Sequence, residues 1–198
     1  MNLPDRVIAV DFETTGLIPA YDHPTSFSAV VFEGGEPTGE MLAMKIMPGL
    51  KAKLSLEALA VQGGDDVFNP ELLSAKIAEL FPSDAISARD AFLTLYEWGK
   101  TVDAVNTPVV AQKASFDWGF YDEKISNWSS VTKAAVLCPV WICTKTLARA
   151  VFPDAKSVSL AMIASAVGLE VETGRQHEAT YDALLCGHVY YRLKERLQ

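Results

Sequence analysis

Residues 6–17 read RVIAVDFETTGL, a short apolar run that leads directly into two acidic side chains and a polar turn. Such a run predicts a strand covered on both faces, here Arg6–Asp11, and Thr14-Thr15-Gly16 predicts the turn that follows. Because side chains alternate along a strand, Asp11 and Glu13 share one face. Two like charges at the edge of a core are unfavourable unless a cation compensates them, whereas both are simply solvated if the strand has already ended.

The rest of the chain alternates between strand and helix patterns. Ser26–Phe32 and Met41–Met47 predict strands around a turn region at Gly34-Gly35 and Gly39, which favours a meander of three antiparallel strands. A helical pattern follows from Leu54 to about Val105, with Ser87 as a helix start. Two further strands and four helices complete the pattern: strands at Pro108–Ala111 and Val136–Ile142, and helices from about Ser115, at Thr144–Val151, Ser157–Val167 and Glu178–Arg196. Pro139 confines the last strand to an edge or a bulge. Clustered strands followed by alternating strands and helices predict an α/β domain with a mixed sheet.

Composition limits the kind of protein this is. The 198 residues, 49% of them hydrophobic, fit one domain spanning residues 1–198. No apolar run approaches the ~20 residues of a membrane helix, and acidic residues come too early for a signal peptide. We therefore expect a cytoplasmic protein without membrane contact, whose three cysteines stay reduced.

Charge is distributed unevenly along the chain. The formal net charge is −8, but residues 133–198 hold eight basic and six acidic side chains. A protein that coats long duplex DNA is normally basic overall, so that class is disfavoured. An enzyme that holds one nucleic-acid end through metal ions remains compatible, because bound divalent cations reverse the local charge.

Two more acids and a histidine stand where strands end and helices begin. Asp117 falls in the first turn of a helix, where the helix dipole favours a carboxylate. Asp182 shares a helical face with Cys186, Val189 and Leu193 and therefore needs a cation or a donor as partner. His177 lies five residues before Asp182 in a polar segment.

These acids meet at one site if the strand ends converge at the carboxyl edge of the sheet. Four carboxylates in one pocket require neutralisation, which two divalent ions about 3.5–4 Å apart would supply. Oxygen ligands favour Mg²⁺ or Mn²⁺. Such a pair of ions suits phosphodiester hydrolysis, one activating water and the other stabilising the leaving oxygen, and His177 is suited to accept the proton of the water.

Three motifs then point to a family: DFETTGL at 11–17, ASFDWGF at 114–120 and HEATYDA, an H-x4-D pattern, at 177–183. In this order they resemble the DnaQ-like (DEDDh) 3′–5′ exonucleases, over nearly the whole chain from about Val7 to Leu193. The resemblance implies a ribonuclease-H-like fold, a five-stranded mixed sheet (three antiparallel strands, then parallel strands) flanked by helices.

The resemblance also implies roles for matched residues. The metal carboxylates would be Asp11, Glu13, Asp117 and Asp182, with His177 as the general base. The substrate contacts would be Thr14, Thr15, Leu17, Gln62 and Phe116, with Leu17 as a wedge beside the last base; for Phe120, core packing is favoured over contact. Gln112-Lys113 departs from the His-Asn that many members carry, and Ser26-Phe27-Ser28 stands where the family commonly has Glu. Both departures bear on substrate preference.

The chain is thus predicted to be a metal-dependent 3′–5′ exonuclease that releases nucleoside 5′-monophosphates from single-stranded DNA, in proofreading or end trimming. Lys145, Arg149, Lys156 and Arg175 are candidates to guide the strand, with solvated surface charge as the alternative. An exoribonuclease acting on short RNA and a non-catalytic nucleic-acid- or polymerase-binding module are the competing hypotheses. A polymerase partner, a homodimer or solitary action all stay open.

Overall fold

The computed structural model describes residues 3–49, 52, 54–126, 136–172 and 174–198. Within them, five strands form one sheet in the spatial order β3-β2-β1-β4-β5. The strands are β1 (Arg6–Thr14), β2 (Pro24–Glu33), β3 (Glu36–Lys45), β4 (Val109–Ala111) and β5 (Trp141–Cys143). The β1–β2 and β2–β3 pairs are antiparallel, and the β1–β4 and β4–β5 pairs are parallel. The predicted α/β fold with a mixed sheet is confirmed.

Helices connect and cover the strands. They are α1 (Leu56–Gly63), α2 (Pro70–Leu80), α3 (Ala88–Thr101), α4 (Ala114–Phe120), α5 (Thr144–Val151), α6 (Leu160–Ala166) and α7 (Ala179–Leu197), with a 3₁₀ turn at Asp65–Phe68 and a π turn at Tyr121–Ile125. As predicted, Ser87 caps α3, since its hydroxyl accepts a 3.1 Å hydrogen bond from the backbone N–H of Asp90. In the part of the chain described here, no helix combines the length and apolar character needed to cross a membrane.

Alternation along β1 divides the core into two layers. Ile8, Val10 and Phe12 face the layer formed with α3 and α4, whereas Val7 and Ala9 face α7. Asp11 and Glu13 therefore continue the row that faces α7, because residues two apart share a face of a strand. This register directs both acids toward the first turn of α7.

Several strand boundaries differ from the predictions. β1 continues through Thr14, because its pairing with β2 extends to Pro24. The predicted turn at Gly39 is wrong: this residue lies inside β3 with a φ of 90°, in the stretch where the β2–β3 register shifts. β5 begins at Trp141 rather than 136, since only three of its residues pair with β4. Its edge position, inferred from Pro139, is confirmed.

Candidate active site

Asp11 and Glu13 lie near the carboxyl end of β1, where they pair with Ser28 and Ser26 of β2. The two acids are partly buried. Because small serines face them across the strand pair, the carboxylates meet no bulky neighbour from β2. The end of β1 thus presents two acids on one face of the sheet, as the alternation predicted.

Asp117 comes from the neighbouring connection. β4 runs parallel to β1, and α4 starts three residues after β4 ends, which places Asp117 in its first turn. Its side chain is 3% exposed. Burial raises the pKa of Asp117 to about 7, although hydrogen bonds from the main chain of Phe12, Asp117 and Lys113, and the charge of Lys113, lower it in part.

Asp182 and His177 are joined by a backbone contact. The His177 N–H donates a 3.1 Å hydrogen bond to Asp182 Oδ2, and Asp182 lies in the first turn of α7. His177 has a φ of 68°, a left-handed conformation that few non-glycine residues adopt. One ligand atom each from Glu13, His177 and Asp182 lie within 4.8 Å of one another. The hydrogen bond therefore fixes the histidine beside the carboxylates while its side chain stays exposed.

The raised pKa values of the acids indicate that too little positive charge lies near them to balance their negative charges. Burial, and then the charges of Asp117, Glu13 and Asp182, raise the pKa of Asp11 well above its ordinary value. The pKa of Glu13 rises to about 8 through burial and the charge of Asp182, with only Lys45 acting against it. Burial also raises the pKa of Asp182. A cluster of carboxylate oxygens with this deficit fits divalent cations.

A cavity of about 210 Å³ opens beside the carboxylates. Four of the five predicted substrate residues line it: Thr14, Leu17, Gln62 and Phe116. Leu17 is 77% exposed, so its apolar side chain is free to pack against a ligand. Phe120, for which packing was favoured, is fully buried in the core.

The polar residues among these are already engaged within the protein. The Thr14 hydroxyl donates to the carbonyl of Gly16 at 2.6 Å, and the buried Thr15 hydroxyl accepts from the N–H of His23 at 3.0 Å. The Gln62 amide donates to the carbonyl of Thr14 at 2.8 Å and accepts from the Thr25 hydroxyl at 2.7 Å. These contacts tie α1 and the loop after β1 together, so these residues shape the cavity whether or not they touch a ligand. Their direct substrate contact stays a prediction.

Sequence reasoning missed two supporting residues. Lys45, at the end of β3, lies beside a cavity that also contains Glu13 and lowers the pKa of that acid. The Gln112 amide donates to the Val158 carbonyl at 2.8 Å, and its oxygen accepts from the Thr144 hydroxyl at 2.6 Å. Gln112 was noted only as a departure from a motif, because nothing in the sequence reveals contacts across 32 and 46 residues.

Comparisons with known proteins give a consistent result. No family model matches the chain. It is 25% identical over 193 residues to DNA polymerase III PolC-type of Oceanobacillus iheyensis, covering 98% of this chain, and 25% identical over 197 residues to that of Ureaplasma parvum, covering 99%. The chain spans 12% of the length of each of these relatives.

Solved structures resemble the chain over almost its whole length. Cell-death related nuclease 4 (CRN-4) superposes with a TM-score of 0.69 at 15% identity, covering 96% of this chain and 64% of that one. E. coli exonuclease I in complex with a dA16 oligonucleotide gives 0.67 at 15% identity, covering 98% and 41%. Exonuclease X in complex with 5′ overhanging duplex DNA gives 0.61 at 21% identity, covering 96% and 90%.

The chain has the ribonuclease-H-like fold of the DnaQ-like exonucleases. The resemblance inferred from the three motifs is thereby confirmed. In this fold, the first motif runs from the end of β1 into the following loop, the second forms α4, and the third spans the approach to α7 and its first turn. Residues far apart in the sequence therefore supply one cluster of acids.

Proposed function

We propose that the chain is a metal-dependent 3′–5′ exonuclease that removes nucleoside 5′-monophosphates from single-stranded 3′ ends, with DNA favoured over RNA. The observation that carries this proposal is the convergence of Asp11, Glu13, Asp117 and Asp182, each with a raised pKa, beside His177. Protein interiors rarely gather four acids without a cation. Named neighbours that hold a single-stranded oligonucleotide or overhanging DNA support the choice of substrate.

The four carboxylates would hold two divalent cations, Mg²⁺ or Mn²⁺, because hard cations prefer oxygen ligands. When bound, such cations would neutralise the site, polarise a phosphodiester and lower the pKa of water. The charges of all three other acids raise the pKa of Asp11, which indicates that Asp11 lies between them. It is therefore the residue suited to contact both ions.

His177 would take up the proton that the attacking water loses. Histidine is the side chain most often used as a general acid or base in catalysis. Its exposed position allows the proton to pass on to solvent, and the backbone bond to Asp182 keeps the ring beside the acids. This geometry supports a general base that recovers after each cycle.

The cavity beside Leu17 and Phe116 would receive the terminal nucleotide. Apolar side chains of Leu17, Val61 and Phe116 offer surface to a base, and stacking on such surface tolerates every base. Because the cavity shares Asp11, Glu13 and His177 with the acidic cluster, a nucleotide seated there would present its phosphate to the carboxylates.

Cleavage of a 5′-labelled single-stranded DNA oligomer tests the proposal directly. With Mg²⁺ or Mn²⁺ we expect a ladder that shortens from the 3′ end and disappears with EDTA. A ladder from a 3′-labelled strand that shortens from the 5′ end contradicts the polarity. Faster digestion of a matched RNA oligomer overturns the DNA preference, and binding of either strand without cleavage favours a binding module.

The role of His177 is tested by His177→Ala. We expect kcat to fall roughly 10²- to 10⁴-fold because the general base is lost, with the deficit shrinking at high pH as hydroxide becomes available. Gln176→Ala changes the neighbouring exposed side chain and should leave kcat within a few fold. Equal losses in the two variants would mean that the loop, and not the imidazole, carries the effect.

A further inference from the structure

A second cavity, of about 530 Å³, opens on the other side of the acidic cluster. It shares Asp11, His177 and Asp182 with the cavity beside Leu17. We call it the basic cavity, because four cationic side chains line it: Lys113, Lys145, Arg149 and Lys156. Among the residues that the structure describes, no acid lines it apart from the two shared ones.

These cations have no acidic partner among the described ion pairs. The other bases that pair do so with nearby acids: Arg175, for example, lies 3.6 Å from Glu172 and 3.3 Å from Glu178. By contrast, Lys145 and Lys156 are exposed and form no ion pair in the described part of the chain. In a protein of net charge −8, four cations grouped on one side of the acidic cluster make that side locally positive, and such a surface attracts an anion.

Hydrogen bonds hold the wall of the basic cavity in place. Gln112 bonds the Val158 carbonyl through its amide nitrogen and the Thr144 hydroxyl through its oxygen. Its own carbonyl accepts from the N–H of Lys145 at 3.2 Å, and Arg149 Nη1 donates to the Ala155 carbonyl. The main chain on both sides of Lys156 is therefore held in place, so the backbone of this segment loses little conformational freedom on binding.

A third cavity that reaches Glu13 has the opposite character. Of its described lining residues, Lys45 alone is a lysine or arginine, whereas Glu13, Glu79, Asp84 and Glu178 are acidic. A polyanion that leaves the acidic cluster has two open directions, and electrostatics favours the basic one.

We infer that the basic cavity binds the sugar-phosphate backbone of the strand immediately upstream of the bond being cut. The inference rests on the proposed function, since it assumes that a nucleotide end occupies the cavity beside Leu17. Lys145 and Arg149 are four residues apart on α5 and so lie on one helix face. Together with Lys113 and Lys156 they contact successive phosphates, and the enzyme consequently prefers oligonucleotides to substrates that end at the scissile phosphate. Arg175 is excluded from this path.

Two substrates distinguish this subsite from the catalytic cluster. The p-nitrophenyl ester of thymidine 5′-monophosphate has a scissile phosphodiester but no upstream phosphate, whereas a thymidine decamer has both. In Lys145→Gln/Lys156→Gln, we expect kcat/KM for the decamer to fall roughly 10- to 30-fold at low salt. The ester should change less than twofold. The slope of log kcat/KM against log salt for the decamer should become shallower by about 1.4, as expected for two phosphates on a single strand.

Lys100→Gln/Arg192→Gln is the matched control. It removes the same net charge from side chains that pair with Glu97 and Glu195 on other surfaces, and it should leave the decamer and its salt slope nearly unchanged. An equal loss in both double variants would assign the effect to net charge and overturn the subsite.

Other outcomes are equally decisive. Parallel losses on decamer and ester, or no loss on either, would overturn the subsite while leaving the exonuclease proposal intact. If the unaltered protein cleaves neither substrate, the proposed function fails. Fluorescence anisotropy of a labelled decamer with Ca²⁺ then separates the two ideas, because weaker binding by Lys145→Gln/Lys156→Gln alone supports the subsite and equal binding overturns it.

Discussion

Asp11 continues the row of β1 side chains that buries Val7 and Ala9 against α7. An acid in such a row is stabilising only when something positive lies beside it. Its pKa is raised by burial and by three neighbouring acids, so its ionisation opposes folding in the metal-free protein. The negative charge that Asp11 would need to bind a cation therefore destabilises the metal-free fold.

Asp11→Asn tests this effect. The amide keeps the shape and removes the charge, so we expect turnover to be lost while the metal-free protein gains on the order of 1 kcal/mol or more. Thermal melting in EDTA at pH 8 should show a midpoint several degrees higher than that of the unaltered protein. Asp154→Asn, at an exposed position, should alter neither quantity. Retained cleavage by Asp11→Asn would remove the metal assignment.

Individual residues differ in how far sequence could predict them. Asp11 and Glu13 were placed correctly on one face, because alternation along a strand is a local property. The internal bonds of Thr15 and Gln62 could not be predicted, since their partners, His23 and Thr25, belong to other segments. The type of a side chain determines which hydrogen bonds it can form, but only the folded structure shows whether those bonds are already made within the protein.

Among the elements, α7 is the helix that builds the site. It packs on β1, β2 and β4 through one side and on α5 and α6 through another. Its contact with β2 is so close that Gly187 has no room for a side chain: a Cβ there would lie 2.2 Å from Phe32 Cε2. The position of Asp182 thus depends on the close packing of α7 against the sheet.

Gly187→Ala should therefore destabilise the protein, although alanine is the better helix former by about 1 kcal/mol. The methyl group must displace the buried Phe32 ring, and overpacking of this kind typically loses 1–3 kcal/mol. Urea unfolding followed by circular dichroism measures the change as a lower midpoint at similar slope. Gly174→Ala meets no atom within 4 Å and needs no positive φ, so its midpoint should stay the same. A neutral Gly187→Ala would mean that the helix can shift from the sheet.

Element boundaries were predictable where a cap or a periodic face marks them. The α5 prediction matches Thr144–Val151, and α7 differs by one residue at each end from the predicted Glu178–Arg196. The start of β3 was missed because its first residues, EPTGE, are exposed and do not alternate. β5 was predicted too long, since an apolar run does not reveal that its neighbour β4 offers only three residues for pairing.

For the whole molecule, the acidic cluster should dominate the dependence of stability on pH above neutrality. The folded-state pKa values of Glu13 and Asp117 lie near 8 and 7, whereas unfolded acids titrate near 4. Between those values the folded state binds more protons, so the free energy of unfolding falls as pH rises. Burial lowers the pKa of His23 and His188. These histidines act in the opposite sense below about pH 6.5, where the unfolded state binds more protons.

Between pH 6.5 and pH 8.5 the acids titrate in the folded state, whereas the histidines complete their titration within the lower half of this range. In EDTA we expect the melting temperature to fall by several degrees over this range, since each acid that titrates contributes on the order of 1 kcal/mol per pH unit. Millimolar Mg²⁺ or Mn²⁺ should restore the loss, because the ions bind the deprotonated carboxylates of the folded state. Their stabilising effect should accordingly be largest at pH 8.5. Asp11→Asn should show a weaker response to both pH and metal. A melting temperature in EDTA that rises between pH 6.5 and 8.5 would contradict the raised pKa values, and with them the argument that this cluster is built to hold cations.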